Sequence, residues 1–211
     1  MLNRSPFSRP ETQTLMQRNL TALWSTSTES ERIQGADWYP AARRIVGEWS
    51  VTYGHSRETV ACVIAALSPQ IDWPRNLIMA DDVLADRPLS IRGLERNTAK
   101  AYQLARSAGT VEDMLALFPY GPKVNAFAAN LAGDDSIITI DTHATQAAMN
   151  DPTMVKGISW APYTAIATAY ATVATELAIP WTTLQETIWI VWKRLHTPEG
   201  KRALLRARKA G

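Results

Sequence analysis

One cysteine in 211 residues has nothing to pair with inside the chain, so the sequence carries no sign of an oxidising compartment. That residue, Cys62, sits in an apolar run and reads as a small core side chain, not a nucleophile. The three histidines, His55, His143 and His196, lack metal-ligand spacing, and neither a metal nor another cofactor is expected. No apolar stretch approaches the ~20 residues needed to cross a bilayer, and the first ten residues are polar; the expectation is a soluble, cytoplasmic protein with no membrane partner. Neither sign of charge dominates, since 22 Lys and Arg against 20 Asp and Glu leave a net +2 that by itself names no partner. Repeats and low-complexity blocks are missing as well.

The charge is unevenly spread. Residues 193–211 hold seven basic side chains (Lys193, Arg194, Lys201, Arg202, Arg206, Arg208, Lys209) against Glu199, net +6, which leaves the first 192 residues at net −4. Such a tail can lie along a phosphate backbone or an acidic partner, or stand solvated and frayed. With 46% hydrophobic residues the chain is long for one compact domain and short for two independent ones. The expected division is a loosely held lead over residues 1–30, a helical body over 31–196 and the basic tail over 197–211. The lead is rich in Ser, Thr, Arg and Asn, with Pro6 and Pro10, and has room for one short helix over 12–24.

After the lead, almost every segment has helical period and helix punctuation. Asp37 can cap a helix whose Trp38, Ala42, Ile45 and Trp49 share a face and which closes at Gly54. Ser56 can cap the next, with Val60, Ile64 and Leu67 in a stripe before Pro69 stops it. Helices are also expected over 74–85 and 94–108, the second ended by Gly109. Thr110 and Asp113 have capping-box spacing and open a short helix ending near Phe118. Further helices follow over 123–131, closed by Gly133, then from Asp141 to about Met149, and over 162–177. Thr183 and Glu186 again have box spacing, ahead of Leu184, Ile188, Val191 and Leu195 on one face. Residues 137–140 are apolar and extended, and with no second strand in prospect they read as a buried connector. The fold class is all-α, with eight to ten helices.

Three segments can carry chemistry. In Leu67-Ser68-Pro69-Gln70-Ile71-Asp72-Trp73, polar residues interrupt the end of a strongly apolar helix. In Phe118-Pro119-Tyr120-Gly121-Pro122-Lys123-Val124, a tight turn feeds a helix whose first backbone N–H groups point outward and suit a phosphate. A lysine in that first turn feels the positive end of the helix dipole, which favours its neutral, nucleophilic form. In Ile138-Thr139-Ile140-Asp141-Thr142-His143, a carboxylate stands at the mouth of a helix just after the apolar connector. The intervening helix of ~10 residues travels ~15 Å, and the ~7 extended residues after it can return ~20 Å, so Lys123 and Asp141 are able to meet.

In order and spacing these residues resemble the helix-hairpin-helix DNA glycosylase superfamily (HhH-GPD), most closely its endonuclease III-like branch. That branch has a Leu-Ser-x-Gln turn, matched by Leu67, Ser68 and Gln70, and a hairpin helix opening at a lysine, matched by Lys123. Its apolar run into Val-Asp-Thr-His is matched by Ile140, Asp141, Thr142 and His143, with the same 18-position step from lysine to aspartate. Gly93, Leu94, Asn97, Ala99 and Lys100 look like its helix before the hairpin. The similarity covers about residues 56–150, with weaker helical agreement to 196. Two departures stand out: the hairpin keeps one glycine of the usual Leu-Pro-Gly-x-Gly, and the four cysteines that hold an iron–sulfur cluster are absent.

The resemblance implies two helical lobes with a cleft between them, double-stranded DNA as partner, and removal of a modified or mismatched base flipped from the stack. It makes Asp141 the group that stabilises the positive sugar and Lys123 the amine that adds strand cleavage at the abasic site. Gln70 would fill the vacated stack, Ser68, Tyr120, Gly121, Pro122 and Val124 would join it in binding DNA, Trp73 or Tyr120 would stack in a pocket, and His143, Thr142 and Trp73 would support the site. Two alternatives stay open. One is a phage-type transferase of the same fold that hypermodifies DNA bases; the other is a non-catalytic protein that binds DNA or a host protein.

Overall fold

The computed structural model describes residues 6–154 and 159–198, and these form ten α-helices and a 3-10 turn, with no strand among the described residues. The helices are α1 (Pro10–Ser25), α2 (Glu29–Tyr53), α3 (Arg57–Leu67), α4 (Trp73–Leu84), α5 (Glu95–Arg106), α6 (Val111–Leu117), α7 (Pro122–Ala132), α8 (Thr142–Met149), α9 (Trp160–Glu176) and α10 (Trp181–His196). Among the described residues, no helix is long and apolar enough to cross a membrane. The chain divides into two compact units. The first takes the described parts of Met1–Trp38 and Ile138–Gly211, and the second is Tyr39–Ile137. The passage between them lies within α2 on the way out and at Ile137 and Ile138 on the way back.

The first unit is built on α1, which packs on α8, α9 and α10. Met16, Leu20 and Leu23 recur at helical spacing and are buried. Two amides tie the helix down: Gln13 donates to Ala165 O at 2.8 Å and Asn19 to Ala148 O at 2.9 Å. The expectation of a loosely held lead is therefore corrected from residue 6 onward, because three apolar residues on one face outweigh a polar composition. The next helix also starts earlier than Asp37. Thr28 and Glu31 exchange N–H bonds at its mouth, Thr28 N to Glu31 Oε2 at 2.8 Å and Glu31 N to Thr28 Oγ1 at 3.2 Å. Arg194 adds an ion pair at 2.5 Å from α10. Burial works against the Glu31 charge, yet Arg194 and the Thr28 donors outweigh it and hold the carboxyl below its ordinary range.

In the second unit, α3 is the core element, with every residue from Thr59 to Leu67 buried and with α4, α5, α6 and α7 packed around it. Ser56 caps its start as expected, accepting from Thr59 N at 3.0 Å. Its last turn is closed from two neighbours, Asn76 donating to Ile64 O at 3.1 Å and Asn97 to Ala66 O at 2.9 Å. Cys62 is buried here, and burial pushes its thiol up to about 12, as suits a core side chain and not a nucleophile. The Thr110 and Asp113 capping box forms in full. Residues 197 and 198 begin the expected basic tail, and the rest of it lies outside the described residues. Lys193 and Arg194, its first cations, belong to α10.

Gly35 is the tightest joint of the first unit, since a Cβ there would lie 2.2 Å from Thr187 Oγ1 and 2.7 Å from Thr187 N. Gly→Ala inside a helix ordinarily stabilises, but here the added methyl meets backbone. Gly35→Ala is expected to lower stability by about 1–3 kcal/mol in a urea titration; a stability gain would show that α2 and α10 do not approach this closely.

Candidate functional site

Eight of the sequence-derived candidates fall in the second unit, on two turns. At the first turn Ser68 ends α3, its hydroxyl buried with no hydrogen-bond partner in the structure. Gln70 follows in the left-handed region (φ +65°) and is exposed, so the backbone accepts strain there while holding the side chain toward solvent. Asp72 then caps α4 by accepting from Arg75 N at 3.0 Å, and Trp73 opens that helix half-buried, edge-on to Phe127 at 6.4 Å.

The second turn is the α6–α7 hairpin. Gly121 N donates to Phe118 O at 2.9 Å, and the Asn125 amide closes the loop by donating to Phe118 O and Gly121 O, both at 2.9 Å. A Cβ at Gly121 would lie 2.9 Å from Val124 Cγ2, which explains why this one glycine of the hairpin is present. Pro122 and Val124 are buried, Lys123 is half-buried in the first turn of α7, and Tyr120 is 91% exposed at the tip. No side chain caps α7 at Gly121. Lys100 donates to Leu117 O, and its ammonium lies 4.1 Å over the Phe118 ring. Burial, then Arg96, holds this lysine below its ordinary range.

Asp141, Thr142 and His143 stand in the first unit. The connector before them is pinned by one phenol: Tyr163 donates to Ile138 O at 2.7 Å and accepts from Ile140 N at 3.0 Å. Burial pushes that phenol well above its ordinary value, so it stays a neutral donor. The connector delivers Asp141 to the N-cap of α8, where Oδ1 accepts from Ala144 N at 2.8 Å. Its second oxygen, Oδ2, accepts from the Trp189 indole on α10 at 3.1 Å. Lys193 lies 4.1 Å over the Trp189 ring, and His143 meets the same ring edge-on at 6.2 Å. Asp141, His143, Trp189 and Lys193 are all half-buried, whereas Glu186, one turn before Trp189, is buried. Lys123 and Asp141 thus belong to different units, each with its own set of neighbours.

A family profile matches residues 4–196. The chain belongs to DUF7178, a family of unknown function. No match was found among curated proteins or among solved structures. For this DUF7178 chain the chemistry has to be read from the site itself.

Two residues of that site were not singled out by the sequence. Trp189 was one of eight tryptophans, with nothing but its i+3 and i+4 spacing from Glu186 and Lys193 to set it apart. Glu186 has the spacing of half a capping box with Thr183, but α10 begins at Trp181 behind Pro180, so residues 183 and 186 lie inside the helix. Instead of capping, the Glu186 carboxyl is buried and accepts from the Gln185 amide at 2.9 Å. Burial, reinforced by the neighbouring Asp141 carboxylate, pushes Glu186 up to about 8 against the Gln185 hydrogen bond. Burial and the same two carboxyls raise the Tyr170 phenol, whose hydroxyl donates to Ala144 O at 3.0 Å. At neutral pH the site therefore holds a protonated acid behind an N-cap aspartate.

The sign of the pH dependence follows. A carboxyl whose pKa is raised on folding, here from 4.5 to about 8, contributes stability that is complete below 4.5 and is lost as pH rises through about 8. Glu186→Gln, which stays neutral, is expected to flatten this decline between those values. Urea unfolding at pH 5 and pH 9 measures it. Parallel losses in variant and parent would mean that Glu186 does not hold its proton in the fold.

Proposed function

We propose that this chain is a DNA N-glycosylase of the helix-hairpin-helix kind, with strand cleavage at the abasic site. The observation that carries the reading is the Asp141 carboxylate, set at the mouth of α8 behind a pinned apolar connector and held by two neutral N–H donors. Breaking an N-glycosidic bond leaves positive charge on the sugar ring, and a nearby ionised carboxylate lowers the energy of that state. The exposed Gln70 and the hairpin with Tyr120 at its tip support the DNA side of the reading. The first takes the space of a flipped base, and the second offers the amides of α7 to a phosphate.

In the reaction the target base is extruded and the bond between its nitrogen and C1′ breaks, the base leaving with the electron pair and taking up a proton. Asp141 faces the positive C1′ as this happens. Strand cleavage then needs an amine that bonds to C1′, loses a proton and opens the sugar ring to a Schiff base, the role that the resemblance gives Lys123. Loss of a proton from C2′ expels the 3′ phosphate, which cuts the strand; water releases the enzyme.

Duplexes that each carry one altered base, scored after alkali, test base removal, and the same panel without alkali tests strand cleavage. Asp141→Asn is expected to lower base release by at least ~100-fold. Lys123→Gln should lose scission and the adduct trapped by borohydride while retaining base removal. Base release undiminished in the aspartate variant, or scission persisting in the lysine variant, would contradict the assignment.

A further inference from the structure

We infer that Trp189 is a positioning residue for the Asp141 carboxylate: its indole N–H fixes the orientation of the acid without cancelling its charge. For the reaction served, the inference rests on the glycosylase reading; for the interaction itself, it does not. The Asp141 carboxylate is engaged from two helices. Oδ1 is held by Ala144 N of α8 and Oδ2 by Trp189 Nε1 of α10, so rotation about the last side-chain bond would break both contacts. An aspartate that only caps needs one oxygen, and the second is ordinarily left to solvent.

The choice of donor matters chemically. Lysine or arginine in that place would neutralise the charge that Asp141 has to offer a positive sugar, whereas an indole is a single neutral donor with no acceptor capacity. It can neither take the aspartate's proton nor compete for the cation. The ring that carries the donor is itself held. Lys193 covers it at 4.1 Å and His143 abuts it at 6.2 Å with the planes at 75°. A cation over the ring face also makes the indole N–H a better donor by polarising the π-system. Glu186 and Trp189 are three residues apart on α10, so the helix that brings the donor also brings the buried acid.

Three variants separate the donor from the ring. Trp189→Phe keeps an aromatic ring for Lys193 and His143 and loses the N–H. Trp189→Ala loses both. Asp141→Asn removes the charge and keeps an acceptor. In protein without DNA, the indole N–H signal that disappears in Trp189→Phe is expected to shift in Asp141→Asn. On whichever duplex the parent cleaves, Trp189→Phe should lower kcat on the order of tenfold to a hundredfold at unchanged KM, the value of one hydrogen bond to a charged group. Trp189→Phe acting like the parent while only Trp189→Ala is impaired would reduce the role to packing and overturn the inference. An indole signal indifferent to Asp141 would overturn it without any turnover measurement. A responsive signal in a parent that releases no base from any duplex would instead count against the glycosylase reading and leave the positioning role standing.

Discussion

A carboxylate at a helix mouth normally needs one oxygen for its cap; at Asp141 both are occupied, by N–H groups from two different helices. Those contacts require α8 and α10 to be in register, which in turn depends on α1 packing against both and on Tyr163 fixing the connector that leads to Asp141. The first unit can thus be understood as a frame for one side chain. Its two largest fully buried side chains, Trp192 and Tyr170, lie on α10 and α9, and the Tyr170 hydroxyl donates to the carbonyl of Ala144, whose N–H caps to Asp141.

Electrostatically the frame gives its two carboxyl groups different surroundings. Glu186 is buried and holds its proton near neutrality, while Asp141 is half-buried and takes hydrogen bonds from neutral donors. Burial, reinforced by the neighbouring Asp141 carboxylate, is what raises Glu186. The second unit follows a different logic: two turns, one at the end of α3 and one before α7, present an exposed amide and an exposed phenol from a tightly packed helical core.

Local signals in the sequence were legible wherever a cap decided the structure. Ser56, the Thr110 and Asp113 box, and the N-cap at Asp141 all form as their spacing implied, and the all-α class followed from them. Failures came where two candidate caps competed. Asp37 stands in the middle of α2 because Thr28 and Glu31 had already opened that helix, and the spacing of Thr183 and Glu186 was overridden by Pro180 two positions before Thr182. Composition misled at the N-terminus, where three buried residues on α1 count for more than its many polar ones. At the site, Asp141 could be found from its place after an apolar run. Trp189 could not, because its role depends on α8 and α10 coming together, and no pattern along α10 alone encodes which tryptophan faces a carboxylate.

The central claim is that the Asp141 carboxylate recognises positive charge at a DNA sugar. The most direct measurement compares binding of two duplexes, one with a cationic pyrrolidine in place of the abasic sugar and one with a neutral tetrahydrofuran. A site built for the charged transition state should prefer the cation by at least ~100-fold, the lower end for such analogues, and Asp141→Asn should abolish the preference. Equal affinity for the two duplexes, or a preference that survives in Asp141→Asn, would contradict it.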